Sequence, residues 1–270
     1  MLTKESLLIF DADFMLYYAT IGNKVFDLEG NPLREDNKFV YTEKTLEEVY
    51  TACDDIIVNI FNKANVYNYI GFLGGKRCFR YDIYPDYKAN RKNLIKPKFW
   101  QECKDYLINT WGFNICDFIE ADDAVNITRN ILENYNSIIV TSDKDLIKCI
   151  EGTYINPKDL NVYYTSKNVA YNNFWESMII GDTADNIKGL PGCGKAFFKK
   201  MLEISRHNKD TYEHIVYKAY CNKLGEEEGR IHFDLQYDLL KILDHDDNLI
   251  IPEVRQYSIF NSSRKEQSVE

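Results

Sequence analysis

Apolar and polar positions alternate along the first two thirds of the chain between two periods. LLIF at 7–10 is a short apolar run ending on Asp11, the pattern of a buried parallel strand. Residues 22–41 are polar and broken by Gly30-Asn31-Pro32, which predicts a loop or hairpin. Thr45 and Glu48 form a capping box, and Leu46, Val49, Cys53, Ile56, Ile57, Ile60 and Ala64 follow at helical spacing. Tyr67 to Leu73 predicts a second strand, and residues 97–110 a helix with Pro97 in its first turn. A third strand is expected near 113–118, a helix over 122–134, a fourth strand over Ser137 to Thr141, and then a short helix carrying Leu146 and Ile147. Strands alternating with helices imply a mainly parallel, twisted sheet with helices on both faces. After 173 the pattern turns helical, over 173–180, 195–205, 210–222 and 231–243. The expected division is an α/β core over 1–180, with a basic segment at about 76–104, then a helical region over 181–255. The polar tail 261–270 is expected to be disordered.

The chain is 45% hydrophobic, enough for a sizeable core, so disorder of the whole chain is excluded. No run of eighteen apolar residues occurs, and acids interrupt the apolar N-terminus, so neither a membrane span nor a signal peptide is expected. Seven well-separated cysteines without a CxxC pair fit reduced thiols in a cytoplasmic protein. The net charge of −9 argues at first against a nucleic-acid partner. The charge is uneven, however. Residues 76–98 hold eight basic residues against two acids, and residues 186–209 hold six against one. Two basic stretches in an acidic remainder suit DNA if metal neutralises some of the acids.

Those acids fall at element ends. Asp11 and Asp13 follow the first strand, Glu120, Asp122 and Asp123 open a helix, Asp143 and Asp145 follow the fourth strand, and Asp182 and Asp185 begin the helical part. In a parallel sheet the carboxyl ends of the strands share one edge, where ligands bind. Any one cluster would ordinarily be a helix cap or a turn. Four at predicted boundaries point instead to one crevice, whose mutual repulsion Mg²⁺ or Mn²⁺ would relieve. Two such ions can activate water for phosphodiester cleavage. In FRYDIYPDYKANRK (79–92), aromatics alternate with cations, as in surfaces that stack bases and hold a backbone. Lys88 and Arg91, three apart, can stabilise charge on one phosphoryl group. GLPGCGKAFFKKML (189–202) is a glycine-rich turn entering a helix, able to hold a phosphate on backbone amides, with Ala196, Phe197, Met201 and Leu202 expected to be buried.

The strings LLIFDAD, FRYDIYPDYKANR, EADDAV, VTSDKDL and GDTADNIKGLPGCGKA, in this order over about residues 6–205, resemble the structure-specific 5′ nuclease family. That family includes phage 5′–3′ exonucleases, flap endonucleases and the 5′-nuclease domain of bacterial DNA polymerase I. The resemblance implies a PIN-like core, an arch over a two-metal crevice, and a helix–three-turn–helix that holds duplex DNA. It assigns metal ligation to Asp11, Glu120, Asp122, Asp123, Asp143, Asp145, Asp182 and Asp185. The arch base falls on Lys88 and Arg91, which would be catalytic. DNA contacts fall on Arg80, Tyr87, Lys92, Gly189, Gly192, Gly194 and Lys195, with K⁺ as a further ion at the turn. The implied partner is DNA with 5′ ends, flaps or nicks, and RNA primers or RNA–DNA hybrids as a further class, acted on by a monomer in replication or repair. One position departs from the pattern. Many members carry an acid at the end of the second strand, where this chain has Gly74 and Gly75. Asp13, two residues beyond Asp11, is expected to compensate.

Three other readings use the same residues. A haloacid-dehalogenase-like phosphatase would take Asp11 as nucleophile and Asp13 as acid, leaving EADD and GLPGCGK without a role. A non-catalytic DNA-binding protein would keep only the scaffold, and a PIN-type ribonuclease would prefer single-stranded RNA.

Overall fold

A computed structural model describes residues 4–36, 38–92, 94–205, 211–246 and 248–258. The tail expected to be disordered lies outside the described residues. The chain opens with β1 (Ser6–Asp11), α1 (Met15–Tyr18) and a small antiparallel ribbon of β2 (Arg34–Glu35) and β3 (Lys38–Phe39). Then come α2 (Leu46–Ala64), β4 (Asn68–Leu73), α3 (Phe79–Ile83), α4 (Trp100–Asn109), β5 (Asn114–Ile115) and α5 (Ala121–Ile131). They are followed by β6 (Asn136–Val140), α6 (Lys144–Cys149), β7 (Gly152–Ile155) and β8 (Val162–Thr165). Four helices, α7 (Lys167–Ile180), α8 (Lys195–Ser205), α9 (Tyr212–Leu224) and α10 (Glu226–Leu240), precede a last short strand, β9 (Arg255–Gln256).

The main sheet runs β5-β4-β1-β6-β7-β8. Its first five strands are parallel, whereas β8 and β9 join antiparallel, on β7 and β4 respectively. β1 is central and alternates between two cores. Leu8 and Phe10 pack with Val49, Ile57, Cys103 and Leu107 of α2 and α4, while Leu7 and Ile9 pack with Ala124, Val125 and Ile127 of α5. An apolar strand covered on both faces is what the run LLIF requires. The predicted capping box at Thr45 and Glu48 starts α2, with both of its hydrogen bonds made.

Several expectations need correction. The sequence pattern misses β7, β8 and β9. Pro97 is not in a first helical turn, because α4 begins at Trp100 behind Phe99 in the left-handed region. Among the residues of α8 whose burial is described, Phe198 is the buried one, whereas Ala196 and Phe197 are exposed and Met201 and Leu202 only half-buried. The packing also does not divide at 180. Trp175, Met178 and Ile179 of α7 form one core with Leu190, Phe198, Val216, Tyr220 and Phe233, so α7 belongs with the later helices. Ile242, Leu249, Ile251 and Val254 return to pack beside α5 and the sheet. No helix among the described residues is long and apolar enough to cross a membrane.

Candidate active site

The carboxyl ends of β1, β4 and β6 form one edge, and the acids gather there. Asp11, the last residue of β1, accepts a 2.6 Å hydrogen bond from Thr141 Oγ1 at the end of β6. That hydroxyl accepts from the Asp143 amide at 2.9 Å, so one threonine ties the first acidic segment to the third. Asp143 caps α6 through the amides of Asp145 and Leu146. Asp182 and Asp185 sit in a tight loop closed by paired backbone hydrogen bonds between Asp182 and Ile187. Asp145 and Asp182 lie close enough for their carboxyl groups to act on one another.

The segment 86–91 clasps this loop. The Lys88 amide donates to the Asp185 carbonyl at 2.9 Å, Asn90 reaches the carbonyls of Thr183 and Ala184, and Asn186 reaches the carbonyl of Asp86. Lys88 Nζ contacts Glu120 Oε1 and lies 3.5 Å from Asp185 Oδ2, while Arg91 contacts the other Asp185 oxygen. Tyr87 donates to Glu120 at 2.6 Å. Lys88 thus stands between acids from two distant segments. Asn90 and Asn186 were not legible as site residues, since a loop asparagine carries no signal of a partner a hundred positions away.

The acids titrate as a crowded set. Burial, then Asp13 and Asp143, push the Asp11 carboxyl up to about 7. Desolvation, then Asp143 and Asp182, raise Asp145 to about 7. Burial raises Asp122 well above the usual range, with Asp123 and Glu120 adding to it. Glu120 goes the other way, because Lys88 and Arg80 outweigh its desolvation. Among the described residues, no three His, Cys, Asp or Glu side chains are already gathered into a metal cage. The donor set nevertheless fits a hard divalent cation, because it is all oxygen and carries uncompensated negative charge. Mg²⁺ keeps several waters and needs only one or two carboxylates per ion.

A carboxyl raised in the folded state holds a proton that the unfolded chain has released between about pH 4 and 7. The stability it contributes is therefore greatest at low pH and is lost as pH rises through about 7. The Tm of metal-free protein in EDTA is expected to fall between about pH 5 and pH 7 and to level off above that. Asp11→Asn should flatten that slope, and an unchanged slope would contradict the placement of Asp11.

Four residues sit where their expected roles do not place them. Arg80 and Tyr87, read as DNA contacts, are each only 2% exposed. Arg80 makes two bonds to Asp123, at 2.6 and 2.9 Å, and reaches the carbonyls of Leu239 and Lys241. Asp123, read as a metal ligand, is fully buried and also accepts from the amides of Glu120 and Leu243. It orients the N-terminus of α5, where Glu120 and Asp122 face the crevice, instead of facing it itself. Gly189 is likewise internal. Its φ is 64°, its amide donates to Gln236 Oε1, and an added Cβ would fall 2.4 Å from the Gly181 nitrogen. Gly192 and Gly194, by contrast, have open space around them and remain on the surface with Lys195, which lies 3.4 Å from Glu176. Lys92 is exposed, next to Arg91.

Beside the acids lies an open cavity of about 340 Å³. Asp13, Gly74, Lys88, Arg91, Lys96 and Glu120 contribute to its walls. Its outer wall is basic, and Lys96 sits 3.7 Å above the Trp100 ring. Lys104, which no sequence pattern singles out, is buried and donates to the carbonyl of Gly74, one of the residues that line the cavity.

An all-oxygen crevice at the carboxyl edge of a parallel sheet, with cations standing over it, defines a class of phosphoryl-processing enzyme fold. The chain belongs to the 5′–3′ exonuclease family, whose N-terminal, resolvase-like domain matches residues 7–175. A 5′–3′ exonuclease of Mycoplasmopsis pulmonis is 28% identical over 205 residues, 64% of each chain. DNA polymerase I of Treponema pallidum is 26% identical over 197 residues, 64% of this chain and 20% of the polymerase. The chain thus spans less than two thirds of the length of these relatives. Among solved structures, the T5 protein co-crystallized with metal ions superposes with a TM-score of 0.60 at 15% identity, over 89% of both chains. A bacteriophage T5 flap endonuclease in complex with DNA and metal ions gives 0.56 at 16% identity, over 89% of both chains.

Proposed function

We propose that this chain is a metal-dependent 5′–3′ exonuclease and flap endonuclease that hydrolyses phosphodiester bonds near 5′ ends of branched or nicked DNA. The observation that carries this reading is Lys88, held between Glu120 and Asp185 at an edge that Asp11, Asp143 and Asp145 share. Acids from two distant segments meet one cation beside a third and a fourth acidic segment, and a phosphodiester entering there would find both charges already placed. The family resemblance of the motifs and the T5 complex with DNA support it.

In this reading Asp11, Asp13, Glu120, Asp122, Asp143, Asp145, Asp182 and Asp185 hold two divalent ions. Mg²⁺ or Mn²⁺, when bound, supplies Lewis acidity and the activated water of the hydrolysis. Lys88 and Arg91 place positive charge where it develops on the phosphoryl oxygens. Thr141 fixes the rotamer of Asp11 and the start of α6 together. Arg80 and Asp123 keep the ligand helix from tilting. The exposed amides and cations from Gly192 to Lys195 hold the duplex backbone without reading its sequence, with K⁺ as an additional bridge to phosphate. The chain acts as a monomer in a cytoplasmic setting, on DNA ends and flaps and on RNA primers paired to DNA.

A phosphatase using Asp11 as nucleophile is disfavoured, since Asp11 is only 9% exposed and accepts the Thr141 proton. The test is a 5′-labelled flap duplex incubated with Mg²⁺, Mn²⁺ or EDTA. Metal-dependent release of short 5′ fragments is expected. Tight binding without cleavage in either metal would instead indicate a binding protein, and preferred cleavage of single-stranded RNA would indicate a ribonuclease.

A further inference from the structure

The second strand lacks an acid, yet the space an acid would occupy is filled by one. β4 ends at Leu73, and Gly74 and Gly75 follow. The two glycines differ. A Cβ on Gly75 would fall 1.9 Å from the Cys116 carbonyl oxygen, so no side chain fits there. A Cβ on Gly74 would meet Asp13 first, with Oδ2 at 2.7 Å. Gly74 is not among the positive-φ glycines, so a side chain there is opposed by Asp13 alone and not by backbone conformation. The Asp13 carboxylate therefore stands within contact distance of the root of the missing side chain.

Asp13 is also fixed and open. Its Oδ1 accepts from the Gly74 amide at 2.9 Å, which locks the side chain across from β1 to the end of β4. Asp13 lines the cavity that Glu120 and Lys88 also line. Lys104, buried beneath, is tied to the Gly74 carbonyl and so holds that residue in place under Asp13. An asparagine would serve the Gly74 amide equally well, without adding charge beside Asp11.

We infer that Asp13 is a transposed metal ligand: it supplies from the end of β1 the carboxylate that strand β4 does not carry, and Gly74 is glycine to make room for it. This rests on the two-metal reading of the crevice. It predicts an exchange. Acid at 13 with glycine at 74 is functional, and small residue at 13 with acid at 74 is functional too. Acid at both positions is crowded and like-charged, and acid at neither loses a site.

The test is Mn²⁺ binding to the full chain without DNA, followed by calorimetry and by the electron paramagnetic resonance of free Mn²⁺. Asp13→Asn keeps an acceptor for the Gly74 amide and is expected to weaken one Mn²⁺ site tenfold or more, with Tm within a few degrees of the unmodified protein. Asp13→Ala should weaken the same site, and Asp13→Ala combined with Gly74→Asp should restore affinity to within about threefold. Gly74→Asp alone should not strengthen binding. If the unmodified chain binds no Mn²⁺ at millimolar concentration, the two-metal reading itself fails. If it binds Mn²⁺ and Asp13→Asn leaves number and affinity of sites unchanged, Asp13 is not a ligand. If the loss in Asp13→Ala is not recovered by Gly74→Asp, the two positions are not equivalent and the transposition is overturned.

Discussion

Replacing Arg80 by leucine is expected to destabilise the protein by about 3–5 kcal/mol, the usual cost of leaving one partner of a buried ion pair alone. For a chain of this size that is a fall in Tm of roughly 6–20 °C. Arg80 is the largest nearly inaccessible side chain among the described residues, and its main polar contacts reach two distant parts of the molecule. Asp123 belongs to α5, and the carbonyls of Leu239 and Lys241 belong to the end of α10 and the segment after it. Asp123 in turn accepts from the Leu243 amide. Removal of the guanidinium leaves a fully buried carboxylate with two amide donors and no cation, and frees two carbonyls from their donors. The paired change Arg80→Leu with Asp123→Leu should recover part of the loss, because no buried charge is left behind. Thermal unfolding of the DNA-free protein measures both. A Tm within two degrees of the unmodified chain, with weakened DNA binding, would return Arg80 to the surface role its neighbours in sequence suggest.

Arg80 also shows where sequence patterns stop. It lies in a run of cations and aromatics, and local composition makes every member of such a run look solvated. Its partner is 43 positions away and itself looks like a crevice acid. Nothing local separates Asp123, turned inward against Arg80, from Asp122 beside it, which is half-buried and differs only by the hundred degrees between neighbours on a helix. The capping geometry is equally ambiguous: Glu120 and Asp123 at i,i+3 could point together, but Asp123 is spent in part on the Glu120 amide. What periodicity could give, it gave. LLIF, the capped helix α2 and SIIV are long or strongly patterned, and each is buried on the expected face. β7 and β8 were missed because their pairing, Gly152 to Thr165 through Ile155 to Val162, is antiparallel and carries exposed tyrosines without clean alternation. The packing does not divide at 180, because α7 has the same helical pattern on either assignment and Ile242 to Val254, which have neither period, pack beside α5 and join the chain's end to its beginning. Gly189 and Gly192 share a motif, yet only Gly189 is pressed against another backbone.

Lys88→Met is expected to reduce the single-turnover cleavage rate by about 10²–10³-fold, the scale seen when one preorganised electrostatic donor is removed from a reacting centre. Lys88 is the cation best placed for that role. Its side chain is 17% exposed against 46% for Arg91, and of these two cations Lys88 is the one with ion pairs to both Glu120 and Asp185. Burial lowers the affinity of its amine for a proton, but Glu120 and Asp185 outweigh burial and hold it charged. Its position is set by the backbone as well. Lys88 lies in the left-handed region, φ 52°, with its amide fixed to the Asp185 carbonyl, so the chain presents the ammonium group toward the acids instead of outward. A contact made only as phosphoryl charge develops lowers the rate without weakening ground-state affinity. DNA binding measured in Ca²⁺ should therefore stay within a fewfold of the unmodified protein. Arg91→Met, at a more open position, should cost less in rate. Lys88→Arg should restore little, since a planar fork cannot stand where a compact ammonium meets two carboxylates. A rate within threefold of the unmodified chain for Lys88→Met, or a loss confined to affinity, would place Lys88 in positioning the duplex and leave the phosphoryl charge to the metal ions alone.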